Sequence, residues 1–165
     1  MIDFFDVSLI LSTLLCSLVA GFLFSYAIVV MPGLSSLNDR EFIRAFQVTD
    51  LVIQNRQPLF MLTWIGSIIS LLNVVLISLA SSAILDSWLL ILISAVYLFG
   101  VQGITIAIHI PLNNHIQKLA VEELNDEALT DERVTFERKW NYFNIIRTSL
   151  SIFVSLKLLI VLALR

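Results

Sequence analysis

The sequence predicts an all-α membrane protein. It should be a four-transmembrane-helix bundle, with an extra amphipathic helix in the first loop and a cytoplasmic extension of helix four. Three observations predict this. Of the 165 residues, 58% are hydrophobic and 14% charged, against roughly 25% charged in a soluble domain. Four apolar segments stand out, at about 7–31, 59–80, 88–110 and 142–164, and each reaches the length of about 20 residues that a helix needs to cross the hydrocarbon core. None shows strand-like alternation, and an open sheet edge in lipid would strand its backbone donors and acceptors. No Pro/Gly/Ser-rich linker divides the chain, so residues 1–165 read as a single integral membrane domain.

The first segment follows Met1-Ile2-Asp3-Phe4-Phe5-Asp6, acidic where a cleavable signal would be basic. Its Cys16 follows Leu15, where a lipoprotein cleavage site would need a small residue, so the segment is expected to stay in the mature protein. Cys16 is the sole cysteine. It excludes an internal disulfide and C-x-x-C redox chemistry and reads as a small packing residue. Met31-Pro32-Gly33 is expected to stop helix one.

In the loop that follows, Asn38 with Glu41 three residues on is a capping-box signal, and Leu37 with Phe42 has the spacing of a hydrophobic staple. A short helix should run from about Asp39 to Gln54. Its Phe42, Ile43, Phe46 and Leu51 suit the membrane interface or the floor of the bundle. Gln47, Asp50 and Gln54 share another face, which reads as solvated. Gln57-Pro58 then opens helix two, and the short stretch Ser81 to Ser87 joins helices two and three.

On helix three, Gln102, Thr105 and His109 lie at i, i+3 and i+7, and the same face continues to Asn113. Pro111 deprives the carbonyl of Ala107 of its usual partner and invites a kink beside His109. Helix four should begin at a Thr130 cap, with Asp131 and Glu132 in its first turn. About 34 residues without Pro or Gly exceed a bilayer, so its first turns should project into the cytoplasm. Trp140, Asn144 and Arg147 follow one another at i, i+4 and i+7, with Glu137 and Arg133 one and two turns earlier. Arg147 lies about two turns past Trp140, too deep for easy snorkelling. Pairing with Glu137, Asp50 or an Asn carbonyl would satisfy it.

Lys and Arg set the orientation. Arg40, Arg44 and Arg56 fall in the first loop, and Lys118, Arg133, Arg138 and Lys139 in the third. The positive-inside rule then gives an integral protein of the plasma (inner) membrane with both termini outside. Lys157 and Arg165, near the outer end of helix four, weaken the asymmetry without reversing it. Nothing is basic enough to suggest nucleic acid. Gly66, Gly100 and Gly103 permit close helix contacts, within the bundle or in a homo-oligomer. His109 and His115, six residues apart, diverge on a helix, so a metal site is poorly supported. Helices one to three carry no acid of the kind that proton-coupled transport uses.

These residues resemble a known family. Pro32, Phe46-Gln47-Val48-Thr49-Asp50-Leu51, Pro58, Pro111-Leu112-Asn113-Asn114, and the run from Trp140 to Thr148 are similar in order and spacing to small four-helix membrane proteins grouped as anthrone oxygenase-like. The resemblance covers nearly the whole chain. It implies a cofactor-independent oxidoreductase acting with O₂ on an apolar aromatic ligand, since some relatives turn anthrones into anthraquinones. Pro111, Asn113, Trp140, Asn144 and Arg147 carry the family pattern, with Asn144 where some members have His. Such chemistry needs a base, donors for an oxyanion and a dry slot for flat rings. His109 is the imidazole available as base. Asn113, Asn144 and Arg147 suit the oxygen, and Trp140, Tyr26, Asn114 and Gln102 suit the ring system. The alternative is a non-catalytic membrane protein whose polar stripe locks the bundle or binds a lipid, a quinone or a partner subunit.

Overall fold

The computed structural model describes residues 3–80 and 84–164. Four of its helices are long and apolar enough to cross a membrane, and there is no strand among the described residues. Part of the predicted Ser81–Ser87 connection, and Arg165, lie outside the described residues. Helix α1 spans Phe4–Ser35, α2 Asp39–Gln54, α3 Pro58–Ala80, α4 residues 84–117 and α5 Asp126–Ala163.

Helix α1 begins at a reciprocal cap, with Asp3 and Asp6 each accepting the other's backbone N–H. Pro32 does not stop it, contrary to expectation. Ahead of the proline, Tyr26–Val30 winds as a π-helical turn, and Met31 N–H reaches back five residues to the Tyr26 carbonyl. The wider turn accommodates a ring that would otherwise clash with the carbonyl four residues back. Helix α4 repeats the device. Val96–Gln102 and Thr105–His109 are π-helical, Ile110 N–H bonds to the Thr105 carbonyl, and the helix runs on past Pro111 to Gln117.

Helix α2 has the boundaries that the capping signal predicts, with Asn38 and Glu41 bonded reciprocally. It ends at Arg56, whose φ of 57° is the left-handed conformation of a C-terminal cap. There Arg56 N–H bonds to the Ile53 carbonyl and Gln57 N–H to that of Val52. Helix α5 starts five residues earlier than expected. Asn125 caps it by accepting Ala128 N–H, and Thr130 lies inside it, donating to the Asp126 carbonyl. Both residues suit a cap, and Asn125 has Asp126 and Glu127 in the favoured first turn. At 38 residues the helix is about 57 Å long, so it extends beyond a bilayer.

Two buried apolar clusters hold the bundle. The first fills the space between the spans, with Leu9, Leu23, Leu71, Tyr97, Val101 and Val154 among its members. Cys16 is a free, buried thiol within it. Gly66 and Gly100 permit close packing here, whereas Gly103 has no close side-chain neighbour. A Cβ at Gly66 would sit 3.0 Å from Leu15 Cδ1, and one at Gly100 would sit 2.8 Å from Leu150 Cδ1. The second cluster is the floor, where Phe42, Ile43 and Phe46 of α2 pack on Met31, Phe136 and Trp140. Leu51, expected with them, is exposed instead.

Charged residues stitch this floor together. Arg133 bonds to Asp39 at 2.9 Å and Glu137 at 3.1 Å, donates to the carbonyls of Leu37 and Ser35, and covers the Phe42 ring at 4.6 Å. Arg40 donates to the carbonyls of Val121 and Leu124, and Arg44 pairs with Glu122. The Thr130 hydroxyl bonds to Asp39. That bond, together with Arg133, holds the Asp39 carboxyl below its usual pKa. The first and third loops, the two basic ones, thus meet at one end of the bundle.

Candidate functional site: a buried cation and imidazole beside a ring-lined cleft

Trp140 is the hub where four helices meet at the floor. Its indole N–H donates to Asn113 Oδ1 at 3.0 Å. The His109 ring stands edge-on to it at 5.1 Å between centroids. The Arg147 guanidinium lies over its face at 5.4 Å, and the Tyr26 ring is 5.7 Å away. The two π-helical turns place two of these partners. Tyr26 opens the turn in α1 and His109 closes the second turn in α4. Such widened turns recur at functional sites.

Arg147 is 5% exposed, yet no carboxylate lies within ion-pair distance of it among the described residues. Glu137 is taken by Arg133. Of the partners expected for Arg147, the one found is the Asn144 carbonyl oxygen, reached by Nε at 3.0 Å. Nη1 donates to Thr105 Oγ1 at 3.3 Å. Asn144 also donates to the Leu23 carbonyl at 3.4 Å. A buried guanidinium held by neutral groups is costly unless something anionic shares its site.

His109 is 2% exposed, and neither ring nitrogen makes a hydrogen bond. Gln102 Nε2 and Thr148 Oγ1 are likewise buried and unpartnered. Most buried polar atoms find a partner, so an imidazole with both nitrogens unpartnered beside Trp140 is unusual. His115 lies elsewhere, exposed and bonded to Glu132 at 2.7 Å.

Sequence reasoning misjudged the polar face of α2. It is not solvated. Asp50 is 3% exposed and accepts from Asn113 at 2.7 Å, Gln54 at 2.7 Å and Gln117 at 3.1 Å. Gln47 donates to the carbonyls of Ile116 and Leu119. A line of contacts therefore runs from the Asp50 carboxylate through Asn113 to Trp140 and Arg147. The signal lay in two complementary sets, Gln47, Asp50 and Gln54 on one element and Asn113, Asn114 and Gln117 on the other.

Of the residues singled out in the sequence, Tyr26, His109, Asn113, Trp140, Asn144 and Arg147 come together. Asn114 does not. It is exposed on the outer side and meets Gln54 at 3.4 Å. Gln102 is tied to a neighbouring feature, accepting the Trp64 indole N–H at 2.7 Å. Trp64 belongs to a cleft of about 570 Å³ whose walls include Phe22, Tyr26, Thr49, Val52, Phe60 and Trp64. Phe60 and Trp64 stack at 5.2 Å and 22°. Tyr26 belongs to both features, lining the cleft and touching Trp140.

No curated protein and no solved structure matches this chain. The family model described as anthrone oxygenase matches residues 53–156. The match takes in His109, Asn113, Trp140, Asn144 and Arg147. It leaves out Tyr26, Pro32 and the Phe46–Leu51 motif, so it is shorter than the resemblance read from the motifs. It covers more than half of the chain, and on that ground, with an all-helical bundle of four apolar spans around these residues, the protein belongs to the anthrone oxygenase family.

Proposed function

We propose that the protein is a membrane-embedded oxygenase that ionises a flat, enolisable aromatic ketone and lets the resulting anion react with O₂. The observation that carries this reading is the buried, carboxylate-free Arg147 guanidinium. It shares the Trp140 ring with an imidazole whose nitrogens are both unengaged. A neutral imidazole takes a proton from the ring carbon opposite the ketone. Arg147 and Asn144 stabilise the enolate oxygen that develops. Asn113 holds the Trp140 ring in place, and Trp140 and Tyr26 offer faces to the substrate rings.

The delocalised enolate is electron-rich enough to give electrons to O₂ directly. A C–O bond forms at the deprotonated carbon, and the peroxide anion takes its proton back from the imidazolium. Loss of the remaining C–H proton with O–O cleavage then yields a second ketone and water. One O₂ is consumed and one water released per substrate. Burial supports the proton step by keeping bulk water from the base.

The same reading places the Trp140 end of the bundle on the cytoplasmic side of the plasma membrane with both termini outside, because the basic loops gather there. A second reading, a non-catalytic bundle lock, draws on the direct bonds from Arg147 to Asn144 and Thr105. O₂ uptake by protein in lipid nanodiscs with a simple anthrone separates the two. Equimolar O₂ loss and anthraquinone formation, abolished in folded His109→Ala and Arg147→Ala, is the expected result. Wild-type turnover no faster than spontaneous oxidation removes the oxygenase reading.

A further inference from the structure

We infer that the cleft between α1, α2 and α3 is the seat and lateral entrance for a neutral polycyclic aromatic ligand dissolved in the bilayer. The inference deepens the oxygenase reading by naming how the ligand arrives and what binds its rings.

The rim places the mouth. Leu18, Val52 and Leu59 line the cleft and are 51%, 54% and 69% exposed. They lie on two spanning helices and on the amphipathic helix. Exposed apolar side chains around an opening on spanning helices face hydrocarbon rather than water. A ligand dissolved in lipid can enter here without crossing the charged floor.

The walls select the shape. Phe22, Tyr26, Phe60 and Trp64 form one ring network, with Phe22 against Tyr26 at 4.9 Å, Phe60 at 5.3 Å and Trp64 at 6.4 Å. The stacked Phe60–Trp64 pair presents flat surfaces, and the bond from Trp64 to Gln102 fixes its tilt. The volume falls within the roughly 300–1,000 Å³ of small-molecule sites. Fused rings gain offset or edge contacts here, whereas an acyl chain would gain nothing from the aromatic geometry.

Charge and polarity select neutrality. No ionic side chain lines the cleft. Its polar groups are largely engaged already, Thr49 to the Ala45 carbonyl, Thr63 to the Leu59 carbonyl and Gln57 to Phe60 N–H. One lining residue, Tyr26, also touches Trp140, the ring that His109 and Arg147 contact. A neutral ketone or phenol therefore fits the cleft, whose lining holds no cation.

The test is anaerobic binding of 1,8-dihydroxyanthraquinone to the protein in nanodiscs, read from the probe's own emission so that no chemistry is required. Leu18→Trp and Val52→Trp narrow the mouth at exposed positions that the fold tolerates, and Phe60→Leu removes one ring. Saturable binding, weakened at least about tenfold in each folded variant and resistant to oleyl alcohol, is expected. Absence of saturable binding, unchanged affinity in all three variants, or equal displacement by oleyl alcohol would overturn the assignment. The oxygenase reading fails separately. Cleft-dependent binding without O₂ uptake keeps the seat and removes the chemistry. Turnover with binding unchanged in the three variants keeps the chemistry and removes the seat.

Discussion

Trp140 donates its indole N–H to Asn113 Oδ1 at 3.0 Å, and this bond crosses from α5 to the last turns of α4. It fixes the ring that His109 and Arg147 both touch. Trp140→Phe keeps an aromatic face and removes the donor, and Asn113→Ala removes the acceptor. Each should lower turnover about tenfold or more if the ring positions the substrate. The two losses should not add, because each breaks the same bond. Turnover of the two single variants and the double variant checks this, and additive losses would mean that Asn113 acts independently of Trp140.

Arg147 separates the two functional readings through stability. A buried cation without a carboxylate costs desolvation that its neutral partners repay only in part. Arg147→Met should therefore leave the thermal midpoint unchanged or raise it, while turnover falls about 10²–10³-fold, as for loss of an oxyanion donor. A midpoint lowered by about 5 °C or more would make the residue a structural lock. Measurement in one detergent at one protein concentration avoids confusing the two effects.

The contrast between local and long-range signals explains what the sequence disclosed. The spans, the Asn38 cap and the stripe from Trp140 to Arg147 are written within single helices, where hydropathy and period suffice. Pro32 misled because a proline normally ends a helix, and the wide turn that accommodates it has no residue pattern of its own. Thr130 misled because Asn125 also suits a cap. The Asp50 face misled because periodicity shows that polar residues share a side but not what covers that side. Its cover, Asn113 and Gln117, lies more than 60 positions away. The role of each site residue depends on such tertiary neighbours.

Asp39 gives the floor a defined acid response. Its carboxyl pKa is lowered by the Thr130 hydroxyl and by Arg133. A carboxyl more acidic in the folded state stabilises that state above its unfolded pKa, near 3.8. The stabilisation is lost as pH falls through the folded value. Asp39→Asn should therefore be less stable than wild type at neutral pH, and the gap should shrink below about pH 4. Thermal midpoints from pH 7 to pH 3 test the sign. A gap that widens on acidification would assign the lowered value to another group.

Arg56 holds a positive φ without being glycine, which costs about 1 kcal/mol relative to a residue free to adopt it. No hydrogen bond or ion pair of its side chain offsets this among the described residues. Arg56→Gly should raise the thermal midpoint by about 2–4 °C and leave ligand binding in the adjacent cleft unaltered. A lower midpoint would show that the glycine's added freedom in the unfolded chain outweighs the relieved strain.

Asp50 accepts hydrogen bonds from three side-chain amides and meets no cation within ion-pair distance among the described residues. Asp50→Asn keeps the shape but turns one acceptor into a donor. At least one of Gln54, Asn113 and Gln117 then faces an N–H₂ group across a buried contact, at a cost of about 1–3 kcal/mol. The cost should appear locally. Gln117 also bonds to the Gln47 carbonyl, and Gln47 to those of Ile116 and Leu119, so Asp50 anchors the end of α4 to α2. Amide hydrogen exchange should accelerate over residues 114–121 in the variant, while the α1 and α3 core near Leu23 and Leu71 stays protected. Equal acceleration throughout the bundle would show that Asp50 supports the whole fold rather than this junction. No change anywhere would mean that water satisfies the three amides as well as the carboxylate does.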